Sequence, residues 1–300
     1  MNINKIKEYI EDLYGFHNLQ SVDEHIGKTS SKIFFHKEKK VYVKITSIKS
    51  CESFADIIET KCDLVYNLIM RENSYLFNFG ERDIYAYNLV KGNTYVFDVK
   101  SVGKLGKSLA KLHNEIAELK RSSSSNYLHG MIESFFQRPV FSVCNSQVRM
   151  DFVLNYLRYN PSVYNKPTSL IHGDMWSGNI IHNMSQFTFI DFDRAYVFFT
   201  DYELMRCFFI SLLSIFERDT ESFYDVLEKF KCYFISYRLY RTINLVEAFD
   251  FYLFVLCLEC NVEDEAKKNC TFAKFLLKRQ RMLLFLLSNR GKIKDLFSTF

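Results

Sequence analysis

A chain of 300 residues with 39 lysines and arginines against 35 aspartates and glutamates carries a formal net charge of only +4, too balanced for a generic nucleic-acid surface. Hydrophobic residues at 48% and aromatics at 17%, with 30 Phe and 19 Tyr, supply a substantial core and exclude a disordered chain. No apolar run reaches the roughly 18 residues that span a bilayer; the best candidate, FYLFVLCLEC, is bounded by Asp250 and Glu259.

The opening segment, MNINKIKEYIEDLYG, alternates charge with apolar positions and lacks a signal-peptide core, so the expected location is the cytoplasm, away from membranes. GKTSSKIFFHKEKKVYVKIT then reads as two strands joined by the charged turn HKEKK. In VYVKI, Val41, Val43 and Ile45 point one way while Tyr42 and Lys44 point the other, which takes Lys44 off the core face. CESFADIIETKCDLVYNLIM follows with Phe54, Ile57, Ile58, Cys62, Val65, Leu68 and Ile69 at helical spacing, and with Glu52, Asp56, Glu59 and Asp63 on another face. YLFNFG and IYAYNLV, around the turn GERD, are two further strands.

After KGNTY the texture becomes helical. SVGKLGKSLAKLHNEIAEL places Leu105, Leu109, Leu112, Ile116 and Leu119 four and three residues apart, with Ser101 as N-cap, and long periodic segments resume from Asp201 to the end. The pattern divides the chain into an N-terminal lobe, 1–92, and a mainly helical lobe, 93–300. The eight cysteines are scattered, as reduced thiols are, and the single CxxC, Cys257 with Cys260, has neither a second pair nor a nearby histidine and reads as core packing rather than a zinc site.

Between the helical stretches lies one segment of mixed character, LIHGDMWSGNIIHNMSQFTFIDFDRA. SLI is extended, HGDMWSGN is a loop, and IIHN and FTFIDF are short strands that form a hairpin across MSQ. A hairpin sets Asn179, before its first strand, beside Asp191, at the end of its second, with Asp174 on the adjoining loop. Oxygen ligands without paired cysteine or histidine suit Mg2+, which completes its shell with water and phosphates. Asp-x4-Asn followed by an Asp after a hairpin is the arrangement of a phosphoryl-transfer centre. A strand lysine and a helix glutamate should complete it, and Lys44 and Glu59 occur in that order.

With these residues the chain resembles the aminoglycoside phosphotransferase and choline-kinase-like family, small-molecule relatives of protein kinases. HGDMWSGN is similar to that family's catalytic loop HGDxxxxN, IDFD to its metal loop, and LGKSLAKLHN to its helix ending in Leu-x-x-Leu-His; HGDMWSGN also resembles the loop of fructosamine and ketoamine kinases. The resemblance implies an α+β, two-lobed protein-kinase-like fold, with an N-terminal antiparallel sheet carrying one helix and a mainly helical C-terminal lobe. It implies Asp174 as catalytic base or hydroxyl-orienting residue, Asn179 and Asp191 as metal ligands, and Lys44 on the nucleotide phosphates, paired with Glu59 or, failing that, Glu52. IGKTSSKIFF stands where the nucleotide-covering loop belongs, without its glycine pattern, so Ser30 and Ser31 are the candidate donors there. YNLVKG falls at the hinge, where the backbone from Asn88 to Val90 would meet the adenine edge.

The activity expected is transfer of the ATP γ-phosphate, with Mg2+, to a hydroxyl of a small molecule, GTP remaining open as donor. The acceptor is an aminoglycoside or other hydroxylated antibiotic, or alternatively a metabolite of the choline, homoserine or ketoamine kind. A catalytically silent binding module and a protein kinase are the further alternatives. The first is opposed by the retention of Lys44, Asp174, Asn179 and Asp191, the second by the missing Gly-rich loop, H-R-D form and Ala-Pro-Glu segment. Acids such as Glu217, Asp219, Glu221, Asp225, Glu259, Glu263, Asp264 and Glu265 are available to attract a cationic acceptor, though solvated faces explain most of them. Glu203 in TDYELM resembles the acid that anchors the catalytic loop, Asp193 is a supporting ligand or a loop acid, and Trp176 is either packed or in contact with acceptor.

Overall fold

The computed structural model describes residues 3–22, 32–46, 57, 62–117, 119, 125–137, 146–165, 168–184, 186–213, 222–259 and 270–300. The chain forms two compact units, Met1–Thr94 with Asn179–Ala195, and Tyr95–Gly178 with Tyr196–Phe300.

The first unit is built on a five-stranded antiparallel sheet of order β1-β2-β3-β5-β4: β1 (Gln20–Val22), β2 (Lys32–His36), β3 (Val41–Ile45), β4 (Phe77–Phe79) and β5 (Arg82–Asn88). The alternation along VYVKI divides its faces as the sequence predicts. Phe34, Val41, Val43, Ile45, Ile84 and Ala86 pack in one apolar cluster with Ile6, Ile10 and Tyr14 of helix α1 (Ile3–Tyr14). That helix went unread at sequence level, although Ile6, Ile10 and Tyr14 stand four residues apart and present one apolar stripe. The opposite face carries Tyr42, Lys44, Tyr85 and Tyr87, with Lys44 registered against Tyr85 and Tyr42 stacked on Tyr87.

Helical periodicity through Ile69 proves to be an over-reading. Residues 62–69 run as an irregular ribbon in which Val65 bridges Phe189 in parallel and Leu68 bridges Tyr87 in antiparallel sense. Bridging backbone, not a helix face, therefore accounts for the burial of Cys62, Val65 and Leu68. The ribbon ties the sheet to the expected hairpin: Ile69 N–H donates to the Ala86 carbonyl at 2.8 Å, and Phe189 N–H to the Leu64 carbonyl at 2.7 Å. The hairpin pairs β8 (Ile180–Asn183) with β9 (Gln186–Phe189), and β6 (Asn93–Thr94) lies on the other side of β8.

In the second unit, α2 (Val102–Ala117) turns Leu105, Leu109, Leu112 and Ile116 inward, and its first-turn bonding begins at Ser101, whose carbonyl accepts the Leu105 N–H. Strands β7 (Ser169–Ile171) and β10 (Tyr196–Phe198) pair antiparallel and flank the segment of mixed character. Helices α3 (Ser125–Gln137), α4 (Ser146–Tyr159), α5 (Thr200–Ser211), α6 (Ser222–Arg238), α7 (Leu245–Glu259), α8 (Cys270–Ser288) and α9 (Arg290–Thr299) complete the unit. On α7, 11 of 15 residues are buried, which makes it the core helix, and Cys257 is one of them, in no disulfide among the described residues; Cys260 lies outside them. No described helix is long and apolar enough to cross a membrane.

Helices α2 and α6 meet backbone to backbone at Gly106, where a Cβ would stand 2.0 Å from the Tyr233 carbonyl oxygen. Only glycine permits that approach, and relief requires the helices to separate. Gly106→Ala should lower the unfolding free energy by about 1–3 kcal/mol, the range for overpacked cores, as urea titration followed by circular dichroism would measure; an unchanged midpoint would contradict this packing.

Candidate active site

In the first unit the sheet and the hairpin bring Lys44, Asp191 and Asp193 together. Lys44 Nζ lies 2.5 Å from Asp191 Oδ1 and 2.9 Å from Asp193 Oδ2, and its side chain is only 7% exposed. Burial alone would lower the ammonium's pKa, but Asp193 and Asp191 outweigh it and hold Lys44 above its ordinary value. Asp193 is itself buried. Its Oδ1 accepts the Tyr85 hydroxyl at 2.5 Å, so both of its oxygens are committed. Burial raises the Asp193 carboxyl, Lys44 opposes that, and the net displacement is upward. Asp191 differs, with a side chain 38% exposed and one oxygen on Lys44. It follows β9 in the left-handed region at φ +69°, a conformation that aspartate tolerates better than most residues.

The hairpin sets Asn179 where the sequence predicts. Its carbonyl accepts the Ile190 N–H at 3.0 Å, one residue before Asp191, and Asn179 is buried. An amide and a carboxylate at adjacent ends of one hairpin are a hard-oxygen donor set that fits Mg2+, which commonly takes only one or two protein carboxylates. Among the described residues no group of three or more His, Cys, Asp or Glu gathers as a metal cage.

Asn88 closes β5 and Val90 follows it. Among the described residues the Asn88 N–H is taken by the Asn67 carbonyl and the Leu89 N–H by that of Lys40. Glu59, its alternative Glu52, and Ser30 and Ser31 lie outside the described residues. Among the described residues the acids on Lys44 are Asp191 and Asp193, and the sequence offered Asp193 only as a supporting ligand or loop acid.

In the second unit the loop HGDMWSGN is held along one helix. Glu203 of α5 is fully buried; its Oε2 accepts the His172 N–H at 2.9 Å and its Oε1 the Gly173 N–H at 2.7 Å. His113 of α2 supplies Nε2 at 3.0 Å to the same carboxylate, and its Nδ1 lies 2.7 Å from the Tyr237 hydroxyl of α6. Burial would raise the Glu203 carboxyl, but His113, His172 and the loop amide more than offset it and leave Glu203 below the ordinary carboxylate value. Burial outweighs Glu203 at His113 and lowers the imidazole. A neutral ring therefore donates from Nε2 and accepts at Nδ1. Gly173, at φ +80°, lets the backbone present both N–H groups to one carboxylate.

One turn on, Arg206 reaches Asp174, Nη2 to Oδ1 at 2.7 Å, and Ser211 Oγ accepts the Ser177 N–H at 2.7 Å. The ring of Trp176 lies over Gly178, where a Cβ would be 2.3 Å from ring carbon Cη2. His172 is buried, with Nδ1 accepting the Asp174 N–H at 3.3 Å, so it braces the loop. Of the acids available for a cationic acceptor, Glu259 is spent on Arg279 and Tyr202, Asp225 is exposed in the first turn of α6, and the others lie outside the described residues. Arg206 and His113 were missed at sequence level. His113 carried a signal, standing at the end of the Leu-x-x-Leu-His helix, whereas Arg206 lies in an otherwise apolar stretch, MRCFF, with no motif around it.

Residues 98–241, a little under half of the chain, match the model of the phosphotransferase enzyme family. The match falls on the region that carries the family resemblance read from the sequence. No curated protein sequence matches the chain. Among solved structures, a microcompartment-associated aminopropanol kinase is similar at TM-score 0.69 and 14% identity, covering 97% of this chain and 98% of that one. An amicoumacin kinase in complex with AMP-PNP, Ca2+ and Ami is similar at TM-score 0.68 and 12% identity, over 94% and 93%. A spectinomycin phosphotransferase in complex with ADP and spectinomycin is similar at 0.59 and 14%, over 96% and 99%. At these identities the likeness shows the fold, which is the α+β, protein-kinase-like one, and leaves chemistry to the site.

Two outcomes follow from the loop. Trp176 is the only tryptophan, so its fluorescence reports on the loop alone; Gly178→Ala should displace the ring and red-shift its emission, and an unchanged spectrum would refute the contact. The lowered values of His113 and Glu203 both stabilise the fold at higher pH. As pH falls through about 6.5, unfolded histidine takes up a proton that buried His113 resists, and Glu203 adds its loss at lower pH. Melting temperature should fall between about pH 7 and 5, and His113→Gln should flatten that slope.

Proposed function

We propose that the protein is a cytoplasmic small-molecule kinase that transfers the γ-phosphoryl group of ATP to a hydroxyl, with an aminoglycoside or other hydroxylated antibiotic, or an amino alcohol or related metabolite, as acceptor. The observation that carries this reading is the Lys44–Asp191 ion pair, a buried cation on a sheet face sharing its charge with a carboxylate at a hairpin end beside Asn179. It is supported by the loop that holds Asp174 through Glu203 and Arg206, and by the phosphotransferase family match over that region.

In this reading Lys44 binds the nucleotide phosphates, with Asp193 and Tyr85 fixing its direction. Asn179 and Asp191 would hold Mg2+, which when bound neutralises phosphate charge. Asp174 accepts a hydrogen bond from the acceptor hydroxyl and aims it in line. The hydroxyl oxygen bonds to the γ-phosphorus, the bond from the γ-phosphorus to its bridging oxygen breaks with its electrons left on the nucleoside diphosphate, and the proton passes late to Asp174. Positioning supplies most of the acceleration, because an ordinary aspartate is too weak a base to ionise an alcohol beforehand.

The test is a phosphorylation screen with aminoglycosides, other hydroxylated antibiotics, choline, homoserine, ketoamines, amino alcohols and sugars. Asp174→Asn should lower acceptor-dependent turnover by about 10²–10⁴-fold, the usual worth of a positioned base, with nucleotide affinity preserved. Unaltered turnover in that variant would remove Asp174 from the chemistry. Nucleotide binding by the native protein without transfer to any acceptor would favour the silent binding module.

A further inference from the structure

The proposed reacting carboxylate does not stand alone. Arg206, on the face of α5 that also presents Glu203 to the loop, donates from Nη2 to Asp174 Oδ1 at 2.7 Å; its side chain is 13% exposed and that of Asp174 29%. The other side of the guanidinium faces the unit's interior. Nη1 lies 3.4 Å from the Tyr202 hydroxyl, which donates to Glu259 Oε1 at 2.7 Å, and Glu259 Oε2 accepts Arg279 Nη2 at 2.5 Å. Asp174, Arg206, Glu259 and Arg279 thus alternate in sign and sum to zero.

A chain seeking stability alone has little reason to build this. Arg206 Nε is buried without a hydrogen-bond partner among the described residues. Orphaned donors on buried cations carry their full desolvation cost, and an apolar residue would fill the space without it. Such costs concentrate where geometry matters more than stability. A guanidinium is also suited to the task, being rigid, planar and permanently charged, so that it fixes the direction of a carboxylate as well as its charge.

We propose that Arg206 is the positioning residue of Asp174: it holds one carboxylate oxygen in place and keeps the group ionised, so that Asp174 orients the acceptor hydroxyl and accepts its proton only late. The assignment rests on the phosphotransferase reading above and extends it to a residue outside both sequence motifs. Asp174 paired with a cation is a poorer base than an unpaired aspartate and a better-aimed acceptor. Its charge is also shared, so the acceptor need not be a cation to approach it. Among the described residues, the titratable and charged groups facing the pair include His172 of the loop, Tyr196 of β10, Tyr202 and Cys207 of α5, Glu259 of α7 and Arg279 of α8, and Arg206 is the cation that touches Asp174 from α5.

The experiment compares native protein, Arg206→Gln, which keeps bulk and hydrogen bonding without charge, and Arg206→Lys, which keeps charge. Melting temperature, nucleotide Kd and the pH dependence of kcat are measured on an acceptor found in the screen. Arg206→Gln should retain nucleotide affinity, lose on the order of 10–100-fold in kcat, the scale of misplaced reacting groups, and move the acidic limb of the profile to higher pH. Arg206→Lys should return that limb toward its native position. A folded Arg206→Gln variant with native kcat and native limb overturns the proposal, as does a limb that moves equally in Arg206→Lys. If Arg206→Gln does not fold, the charge-neutral double variant Arg206→Gln/Glu259→Gln carries the same readings. Native protein that phosphorylates no acceptor defeats the functional reading itself. The contact is then judged by the 13C signal of the Asp174 carboxyl, whose titration midpoint rises in the Gln variant if Arg206 holds it ionised and stays in place if not.

Discussion

The second unit is organised around one buried charge. Removing a carboxylate from water costs several kcal/mol even after relaxation, and Glu203, fully buried, is tolerable only because its oxygens receive the His172 and Gly173 amides and His113 Nε2. Each donor belongs to a different requirement of the fold. The two amides lock the entrance to HGDMWSGN, and His113 draws in α2 and, through Tyr237, α6. The rest of the loop is then read off the same helix, with Asp174 on Arg206 and Ser177 on Ser211. Glu203, Arg206 and Ser211 all stand on α5, so a short irregular segment inherits the rigidity of that helix.

The first unit solves a similar problem with a sheet. One face carries apolar side chains onto α1, and the other is left to Tyr42, Lys44, Tyr85 and Tyr87. Period-two alternation makes the two assignments inseparable, because any register that buries Val43 and Ile45 turns Lys44 away from that core. A buried lysine then needs anions, and these arrive on the β8–β9 hairpin, held by the ribbon 62–69 that bonds to β5 on one side and β9 on the other. Asp193 has both oxygens committed and serves as a fixed counter-charge. Asp191 is more exposed and is held by Lys44 through one oxygen, which leaves its other oxygen for the metal proposed above.

Much of this was legible because the decisive relations are local. Asn179 and Asp191 are brought together by a hairpin that the sequence displays whole, and the direction of Lys44 follows from its own strand. What escaped depends on contacts between segments far apart in the chain. Tyr85 and Asp193 are separated by 108 residues, and no periodicity reports that their oxygens meet. Arg206 lies 32 residues from Asp174 in a run of apolar residues, where a lone arginine resembles a stray surface charge until the helix is placed against the loop. The ribbon 62–69 misled for the opposite reason. Its buried residues are spaced by what they bridge, and two bridging partners on different strands happened to mimic a helix face. Helix α1 carried a legible stripe that its charged character obscured.

The same electrostatic device recurs in each unit. Each of the two carboxylates proposed to do the work, Asp174 and Asp191, has one oxygen held by a cation on a regular element, Arg206 on α5 and Lys44 on β3. A carboxylate in water reorients its solvent shell when charge moves nearby, and that reorganisation is a large part of a reaction barrier. A carboxylate bound to a fixed, largely buried cation has already surrendered part of that freedom during folding. The cost appears elsewhere, in the Arg206 Nε, unpartnered among the described residues, and in the buried Lys44. Stability has been exchanged for direction, which is the requirement of a reaction that depends on in-line alignment more than on strong acids or bases.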